Sequence, residues 1–270
     1  MTFILPSFGA SAISAVPGAG GGGFSNTYSV DFDGTDDYLS LGNLGTAGRS
    51  LGAMLFWVNI TSTNGIHSNN LAKFLVGFGG TGGGILWGYW SQSTDLITLC
   101  THNFSRRTRF QAPSAGDKLT PGWHLIGVNH NGSQYDIIID GVTAPNATLN
   151  SGNTGSYNEY IATSIYSGTG FDDVVVMANT AGSYNSEGLV DEVAIWDSAL
   201  SASDITAIYN SGVPVDLTSY SPNGWWRMGD NDGGTGTTIT DQGSGGNDGT
   251  LTNGPTFHDL STAPDSIYVA

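Results

Sequence analysis

The apolar segments of this chain are short, and turn-forming residues separate them. Residues 54–60 (MLFWVNI) form one such segment, and the link GFGGTGGG at residues 77–84 divides two others. Glycine accounts for 41 of the 270 residues, and 20 of the 23 acidic residues are aspartate, which favours turns and caps over helix interiors. This pattern predicts many short antiparallel strands in an all-β fold.

The charge of the chain argues against two classes of partner. Its formal net charge is −16, with only seven lysines and arginines. Nucleic-acid backbones and anionic membranes are bound through clustered cations. We therefore expect neither nucleic acid nor a membrane as a partner. The one cysteine, Cys100, excludes an intrachain disulfide framework.

The strongest hairpin signal lies in GWHLIGVNHNGSQYDIIIDGV, residues 122–142. Apolar runs flank an Asn131–Gly132 pair, and an Asp140–Gly141 pair ends the second run. Both dipeptides favour tight two-residue turns. The stretch therefore predicts two successive hairpin turns.

One helix is predicted, in LSASDITAIYNSG, residues 200–212. Ser201 suits the N-cap, and Asp204 can complete a capping box three residues later. Gly212 suits the end of the helix.

The segment SVDFDGTDDYLSLG, residues 29–42, has two interpretations. Its aspartates could form a loop site for a hard cation, since Ca²⁺ prefers carboxylate oxygens. The loop is not an EF-hand, because position 12 counted from Asp31 is Gly42 and not glutamate. Alternatively, Val30 and Phe32 point inward and Gly34–Asp36 forms the turn of a hairpin.

Three segments together resemble the laminin G-like jelly rolls of the concanavalin A-like lectin/glucanase superfamily. SVDFDGTDDYLSLG resembles their opening hairpin, and GWHLIGVNHNGSQYDIIIDGV resembles their Trp-His strand with its partner. GLVDEVAIWDSALSASDITAIYNSG resembles the closing strand and helix. The resemblance implies an antiparallel β-sandwich (jelly roll) over residues 27–212, with one short helix towards the C-terminal side.

The C-terminal segment, residues 213–270, resembles a stretch that usually precedes the first hairpin of such domains. Here WWRMGD and the residues after it follow the helix. The segment could begin a truncated second copy. We favour a permuted order that completes the same sandwich, because so short a segment is a poor independent core.

The resemblance also implies ligands. Many laminin G-like domains bind calcium at a rim, and Asp36, Asp37 and Asp191 are the candidate ligands here. The alternative is that these aspartates form turns and stay hydrated.

A glycan would need aromatic platforms, for which Trp87, Tyr89 and Trp90 in GGGILWGYW are candidates, as are Trp225 and Trp226. The alternative for these aromatic residues is a place in the core. Arg106, Arg107 and Arg109 could meet an acidic neighbour or a sulfated glycan, or they could lie on a solvated hairpin.

No pair of carboxylates marks an enzyme. Glycoside hydrolysis needs two positioned carboxyl groups, and glucanase relatives present them as Glu-x-Asp-x-Glu. The three glutamates, Glu159, Glu187 and Glu192, lie in no such motif. Asp191 and Glu192 are adjacent, so in a regular strand they point to opposite faces. We predict that the chain is not an enzyme.

The first 26 residues are interpreted as an arm. Phe3, Ile4, Leu5 and Phe8 precede a glycine hinge at Gly20–Gly23, and no lysine or arginine precedes the apolar part, so the segment does not match a standard secretion signal. The arm could dock on a neighbouring subunit, or it could add a strand to its own domain.

Our leading hypothesis from the sequence is a non-catalytic virion structural protein of a bacterial virus, a capsid decoration or fibre module on the virion surface. Its partners would be major capsid or tail protein subunits, further copies of itself and a host surface glycan. The alternative is a secreted or cell-surface carbohydrate-binding or adhesion protein.

Overall fold

The computed structural model describes twelve parts of the chain: residues 24–44, 51–60, 73–79, 85–90, 96–101, 106–111, 122–130, 135–143, 147–149, 173–178, 182–183 and 185–259. The strands of these parts form two antiparallel sheets. The all-β sandwich predicted from the sequence is confirmed.

The first sheet, sheet A, has eight strands in the order β10-β9-β8-β3-β13-β1-β17, and β14 pairs with β13 beside this path. Its strands are β1 (Ser29–Asp33), β3 (Ala53–Ile60), β8 (Gly122–His130), β9 (Tyr135–Ile139), β10 (Val142–Thr143), β13 (Glu187–Trp196), β14 (Gly224–Trp226) and β17 (Thr256–His258).

The second sheet, sheet B, has nine strands in the order β11-β7-β6-β5-β4-β12-β2-β16-β15. Its strands are β2 (Tyr38–Gly42), β4 (Lys73–Gly79), β5 (Ile85–Trp90), β6 (Leu96–Thr101), β7 (Arg106–Gln111), β11 (Ala147–Leu149), β12 (Asp173–Val176), β15 (Thr238–Ile239) and β16 (Gly249–Thr252).

The main core lies between the sheets. Phe32 of sheet A and Leu39 of sheet B are among its fully buried residues. Burying a side chain of this size contributes about 1.5–3 kcal/mol. A second apolar cluster covers the other face of sheet A, where Trp57, Trp196 and Trp225 pack with the helix. Sheet A is therefore buried on both faces along much of its length.

The helix α1 (Ala202–Tyr209) begins as the sequence predicts. The Ser201 side chain accepts a hydrogen bond from the Asp204 backbone N–H at 3.1 Å, and the Asp204 carboxylate accepts one from the Ser201 N–H at 3.3 Å. The helix ends at Asn210 (φ +45°) rather than at Gly212, because asparagine tolerates the left-handed conformation of a C-cap. Among the described helices, none is long and apolar enough to cross a membrane.

The strands β8, β9 and β10 form the predicted meander. Ile139 and Val142 are direct partners, so Asp140 and Gly141 alone make the second turn. Both residues have positive φ, +49° and +81°, as a type I′ turn requires. The Asn131–Gly132 pair lies outside the described residues, although β8 and β9 pair on either side of it.

The predicted hairpin over residues 29–42 is wrong. The strand β1 pairs with β13 and β17 in sheet A, whereas β2 pairs with β12 and β16 in sheet B. The short bend between them therefore crosses from one sheet to the other. Strand alternation and a glycine turn fix the two strands locally but do not determine whether they pair with each other.

Residues 213–259 contribute to both sheets. The strand β14 pairs with β13, β16 with β2 and β17 with β1. Trp226 and Met228 from this segment lie fully buried in the core between the sheets.

Candidate functional site

Three carboxylates, two from adjacent residues of β13 and one from the segment after β14, meet on the outer face of sheet A. One carboxylate oxygen from each of Asp191, Glu192 and Asp230 lies within 4.8 Å of the other two. Asp191 is 0 % exposed, Glu192 is 4 % exposed, and the side chain of Asp230 is 2 % exposed. We call these three residues, with Asn26, the buried acidic cluster.

A β-bulge brings the first two carboxylates together. The register of β13 against β3 shifts between the pairs Asp191–Trp57 and Ala194–Leu55, and Glu192 has φ +47°. In a bulge, two residues of one strand lie opposite a single residue of the partner strand, so their side chains no longer alternate between the two faces of the sheet. Our expectation that Asp191 and Glu192 point to opposite faces is therefore wrong.

Glu192 is held by two donors from the C-terminal segment. The indole Nε1–H of Trp225 donates to its Oε2, and the Arg227 Nε–H donates to its Oε1 at 3.0 Å. The Arg227 guanidinium also lies 3.7 Å from an oxygen of Asp230. A single arginine thus faces two of the three carboxylates.

The chain entering β1 closes over the cluster. The Asn26 amide Nδ2–H donates to Asp191 Oδ2 at 2.8 Å, and the backbone N–H and hydroxyl of Thr27 donate to Asp230 Oδ1 at 2.7 and 2.6 Å. Arg227 donates to the Ser25 carbonyl oxygen at 2.6 Å and lies over the Phe24 ring at 4.4 Å. These contacts attach residues 24–27, the strap, to β13 and to the segment that follows β14.

Burial dominates the electrostatics of the cluster. Desolvation raises the pKa of Glu192 to about 7, although the charge of Arg227 and its hydrogen bonds act in the opposite direction. Desolvation, and then the charge of Glu192, raise the pKa of Asp191 well above its usual 3.8.

Asn26, Arg227 and Asp230 were not predicted as site residues from the sequence. Arg227 carried a signal, because it is the only lysine or arginine after Lys118. Because buried carboxylates need a charged partner, an isolated arginine next to two tryptophans was a candidate for that role. The bulge that completes the cluster has no comparable signal.

The predicted calcium ligands fall into two places. Asp36 and Asp37 group with Asp33 at the bend between β1 and β2, whereas Asp191 belongs to the buried acidic cluster. At the bend, the backbone N–H of Thr35 donates to Asp33 Oδ1 at 2.7 Å, and that of Asp33 donates to Asp37 Oδ2 at 3.2 Å. These bonds are those of turn-forming aspartates.

Among the predicted glycan platforms, Trp225 and Trp226 are buried in β14, where a sugar cannot reach them. The other three, Trp87, Tyr89 and Trp90, lie in β5, inside sheet B. The inner face of this sheet is marked by Val76, which is buried in the core and pairs with Trp87. Direct partners share a face, and successive positions alternate. Positions 87 and 89 therefore belong to the inner face, and position 90 belongs to the outer face.

The same register extends across the neighbouring strands. Trp90 pairs with Leu96 and Leu96 with Gln111, while Thr98 pairs with Arg109 and Arg109 with Thr148. The outer-face positions of β5–β7 and β11 include aromatic, cationic and polar residues: Leu86, Gly88, Trp90, Leu96, Thr98, Cys100, Arg107, Arg109, Gln111 and Thr148.

The other half of that outer face carries hydroxyl groups. Ser40 pairs with Thr250, Thr250 with Thr238 and Tyr38 with Thr252. Thr238 and Thr250 are exposed, and the other three residues are half-buried. We call the outer face of sheet B, from β11 to β15, the outer B face. The predicted arm residues Phe3, Ile4, Leu5 and Phe8 lie outside the described residues.

Solved structures share this fold. A proposed carbohydrate binding protein from Bacteroides ovatus ATCC 8483 has a TM-score of 0.57 and 15% identity, over 89% of this chain and 62% of that chain. This chain therefore spans less than two thirds of the length of that protein. None of the curated proteins matches the sequence.

Two other solved structures are less similar. A SAP-like pentraxin from Limulus polyphemus has a TM-score of 0.44 and 13% identity, over 68% of this chain and 82% of that one. A CBM40 domain of the Ruminococcus gnavus IT-sialidase, bound to α2,3 sialyllactose, has a TM-score of 0.42 and 14% identity, over 67% and 96%.

Family membership rests on the sequence match. Residues 33–206, more than half of the chain, match the Laminin_G_3 family. The match extends from the end of β1 into helix α1, and so includes the second of the three segments that carry the resemblance and most of the first and third. The chain belongs to this laminin G-like family of the concanavalin A-like lectin/glucanases superfamily.

Proposed function

We propose that this chain is a non-catalytic carbohydrate-binding module that presents the outer B face to an acidic glycan. The observation that carries the proposal is the difference between the two sheets. The outer face of sheet A is buried beneath α1 and an aromatic cluster, whereas the outer B face combines exposed hydroxyls with an aromatic position and two arginine positions.

The residue types on the outer B face suit a sugar. Trp90 offers a flat apolar surface with a polar edge, which can stack on the apolar face of a pyranose ring. Thr98 and Gln111 can exchange hydrogen bonds with hydroxyl groups, and Arg107 and Arg109 can form paired hydrogen bonds with a carboxylate or sulfate. These residues follow one another across three paired strands.

The net charge of −16 does not oppose this assignment. Screening confines the influence of exposed charges to about 10 Å at 0.1 M salt. The arginines of β7 therefore determine the local potential for a ligand on their own face. The carbohydrate-binding description of the Bacteroides ovatus protein supports the same ligand class.

The buried acidic cluster also favours binding without hydrolysis. A glycosidase needs two carboxyl groups that flank the bond to be cleaved. Asp191 and Glu192 are almost completely buried, and the Glu192 carboxylate already accepts hydrogen bonds from Arg227 and Trp225. A polysaccharide therefore has no access to these two carboxylates.

Glycan-array binding, followed by calorimetry on the best ligand, tests the proposal. Trp90→Ala should abolish binding, because the stacking surface is lost. Arg109→Gln should weaken binding to sulfated or uronic acid glycans at least tenfold, with a smaller effect on neutral glycans.

Thr238→Ala is the matched control, since it changes the same face at the far edge and should leave affinity unchanged. Thermal melting of each variant excludes a loss of fold. Unchanged affinity in a folded Trp90→Ala protein would refute the proposed site, and an array with no bound glycan would refute the function.

A further inference from the structure

Two Asn–Gly pairs within the described residues have opposite environments. Asn253 and Gly254 are exposed and connect β16 to β17. Asn223 is half-buried, and Gly224 is buried at the start of β14. In such a pair the asparagine side-chain amide is open to attack by the next backbone nitrogen, because glycine has no side chain to hinder the approach. We therefore expect the two pairs to differ in chemical stability, although the dipeptide is the same.

The reaction at an Asn–Gly pair closes a ring and then opens it. The backbone nitrogen of the glycine forms a bond to the side-chain amide carbon of the asparagine, and the amide nitrogen leaves with the glycine N–H proton as ammonia. Water then opens the succinimide ring at one of its two carbonyl carbons, which gives aspartate or isoaspartate. The net change replaces an amide, which can donate hydrogen bonds, by a carboxylate, which only accepts them.

One exposed hydrogen bond holds the side chain of Asn253, whose Nδ2–H donates to the Asp36 carbonyl oxygen at 2.9 Å. Asn253 and Gly254 have φ values of +66° and +103°, and a Cβ on Gly254 would meet nothing within 4 Å. Ring closure requires Asn253 to leave its left-handed conformation. Water can replace the exposed hydrogen bond when it does so, and surface turns open locally at low cost.

Asn223 is held at both its side chain and its backbone. The Asp197 backbone N–H donates to its Oδ1 at 2.6 Å, and its Nδ2–H donates to Asp197 Oδ2 at 2.8 Å. Its own N–H donates to the Ile195 carbonyl oxygen at 2.8 Å, and its carbonyl oxygen accepts from the Gly245 N–H at 2.6 Å. Ring closure at Asn223 would break these contacts together. The chain therefore contains its own control for the effect of structure on this reaction.

We propose that Asn253 is a site of spontaneous deamidation, by which the folded chain acquires a further carboxylate as it ages. Asn253 links two connections between the sheets: the bend between β1 and β2, and the turn between β16 and β17. The product carboxylate cannot donate to the Asp36 carbonyl, and it adds a like charge beside Asp33, Asp36 and Asp37. Deamidation therefore loosens β17, a three-residue strand that ends sheet A, from β1.

Peptide mapping by mass spectrometry, during incubation of the full chain at pH 8.5 and 37 °C, tests the reaction. Trypsin separates the two asparagines, because it cleaves after Arg227. We expect Asn253 to deamidate at least tenfold faster than Asn223 in the folded chain, and the two rates to agree within about twofold in guanidinium chloride, where the structure is lost. Equal rates in the folded chain, or faster loss of Asn223, would overturn the proposal. A folded-chain rate at Asn253 more than about a hundredfold below its rate in guanidinium chloride would also overturn it.

Two variants of the full chain test the consequence. Asn253→Asp carries the carboxylate of the product, whereas Asn253→Gly accepts the positive φ and cannot react. Both lose the donor to the Asp36 carbonyl, and only the first adds a charge. We expect faster backbone amide exchange in β17 of Asn253→Asp than of Asn253→Gly, with a smaller difference in 1 M NaCl. Equal exchange in the two variants would refute the loosening of β17 by the added charge.

Discussion

Arg227 lies between two aromatic rings and two buried carboxylates. Its guanidinium is 4.4 Å from the Phe24 ring centre and 5.4 Å from that of Trp225, with ion pairs to Glu192 and Asp230. Its position depends on residues that are about 200 positions apart in sequence. Arg227 therefore couples the strap to β14 as well as neutralising charge.

Replacing Arg227 by glutamine should be strongly destabilising. Removing one partner of a buried ion pair leaves an uncompensated charge, which costs about 3–5 kcal/mol. We expect a loss of about 3 kcal/mol in the free energy of unfolding, measured by urea denaturation at pH 7.5 in EDTA. The double variant Arg227→Gln/Glu192→Gln should recover part of the loss. A loss below about 0.5 kcal/mol would show that the arginine carries little of the cluster's stability.

The raised pKa of Glu192 predicts how the stability of the metal-free protein depends on pH. Its pKa rises from 4.5 to about 7 on folding, because burial disfavours the charged form. Between these values the folded chain binds more protons than the unfolded chain, so stability falls as pH increases, by about 1.4 kcal/mol per pH unit for one proton.

Urea denaturation in EDTA from pH 4.5 to 7.5 measures this slope. Glu192→Gln should reduce it, and the remaining slope should reflect Asp191, whose pKa is also raised. Stability that increases with pH throughout this range would contradict the assignment.

The contacts of individual side chains could be predicted only where both partners are close together in the sequence. Ser201 and Asp204 predict their own capping box, because both partners lie within one helical turn. Asp191 and Glu192 form a site only through a bulge and through residues on either side of them, at positions 26 and 230. No local pattern contains those contacts.

At the scale of elements, the sequence predicts the meander correctly but not the pairing of β1 and β2. Asp140 and Gly141 predict a type I′ turn because both positions need positive φ, and the turn forms. Residues 29–42 also alternate around a glycine, yet β1 and β2 join different sheets. The choice of partner strand depends on β13 and β12, which are far away in the sequence.

Gly141 does more than permit the turn. A Cβ there would lie 2.7 Å from Tyr209 Cβ on α1, so the turn packs closely against the helix. Gly42 also has positive φ, but a Cβ there would meet nothing within 4 Å. A side chain at Gly42 would therefore cause backbone strain alone, whereas one at Gly141 would cause both backbone strain and a steric clash with the helix.

Gly42→Ala should cost about 1 kcal/mol, the usual strain of a left-handed residue with a side chain. Gly141→Ala should cost about 1–3 kcal/mol more, because the helix must move away from the turn. Urea denaturation of both variants gives the comparison. Equal losses would mean that the contact between the turn and the helix contributes nothing.

At the scale of the molecule, residues 213–259 are shared by both sheets. They supply the partner of β1, the partner of β2 and the core residue Trp226. The resemblance of this segment to an N-terminal stretch of related domains led us to expect that it completes the sandwich in a permuted order.

A chain ending at residue 212 should therefore not fold cooperatively. Removing β14, β16 and β17 would uncover core side chains and leave two strands without a partner on one edge. Adding residues 213–270 as a separate peptide should restore a cooperative thermal transition, followed by circular dichroism. A sharp transition in the truncated chain alone would contradict this dependence.

The virion location, the capsid or tail partners and the docking of the N-terminal arm stay predictions. The docking depends on residues 1–23, which lie outside the described part of the chain. Deleting these residues tests it, since assembly onto a particle that survives the deletion would refute anchoring by the arm.

The central claim is that the outer B face binds a glycan, and backbone amide chemical shifts test it most directly. The protein is titrated with the oligosaccharide that binds best on the array, and shift changes are mapped to residues. We predict that the changes cluster in β5, β6 and β7 around Trp90, Thr98 and Arg109, with sheet A unchanged. Changes concentrated at the Asp33–Asp37 bend or on the outer face of sheet A would contradict the claim.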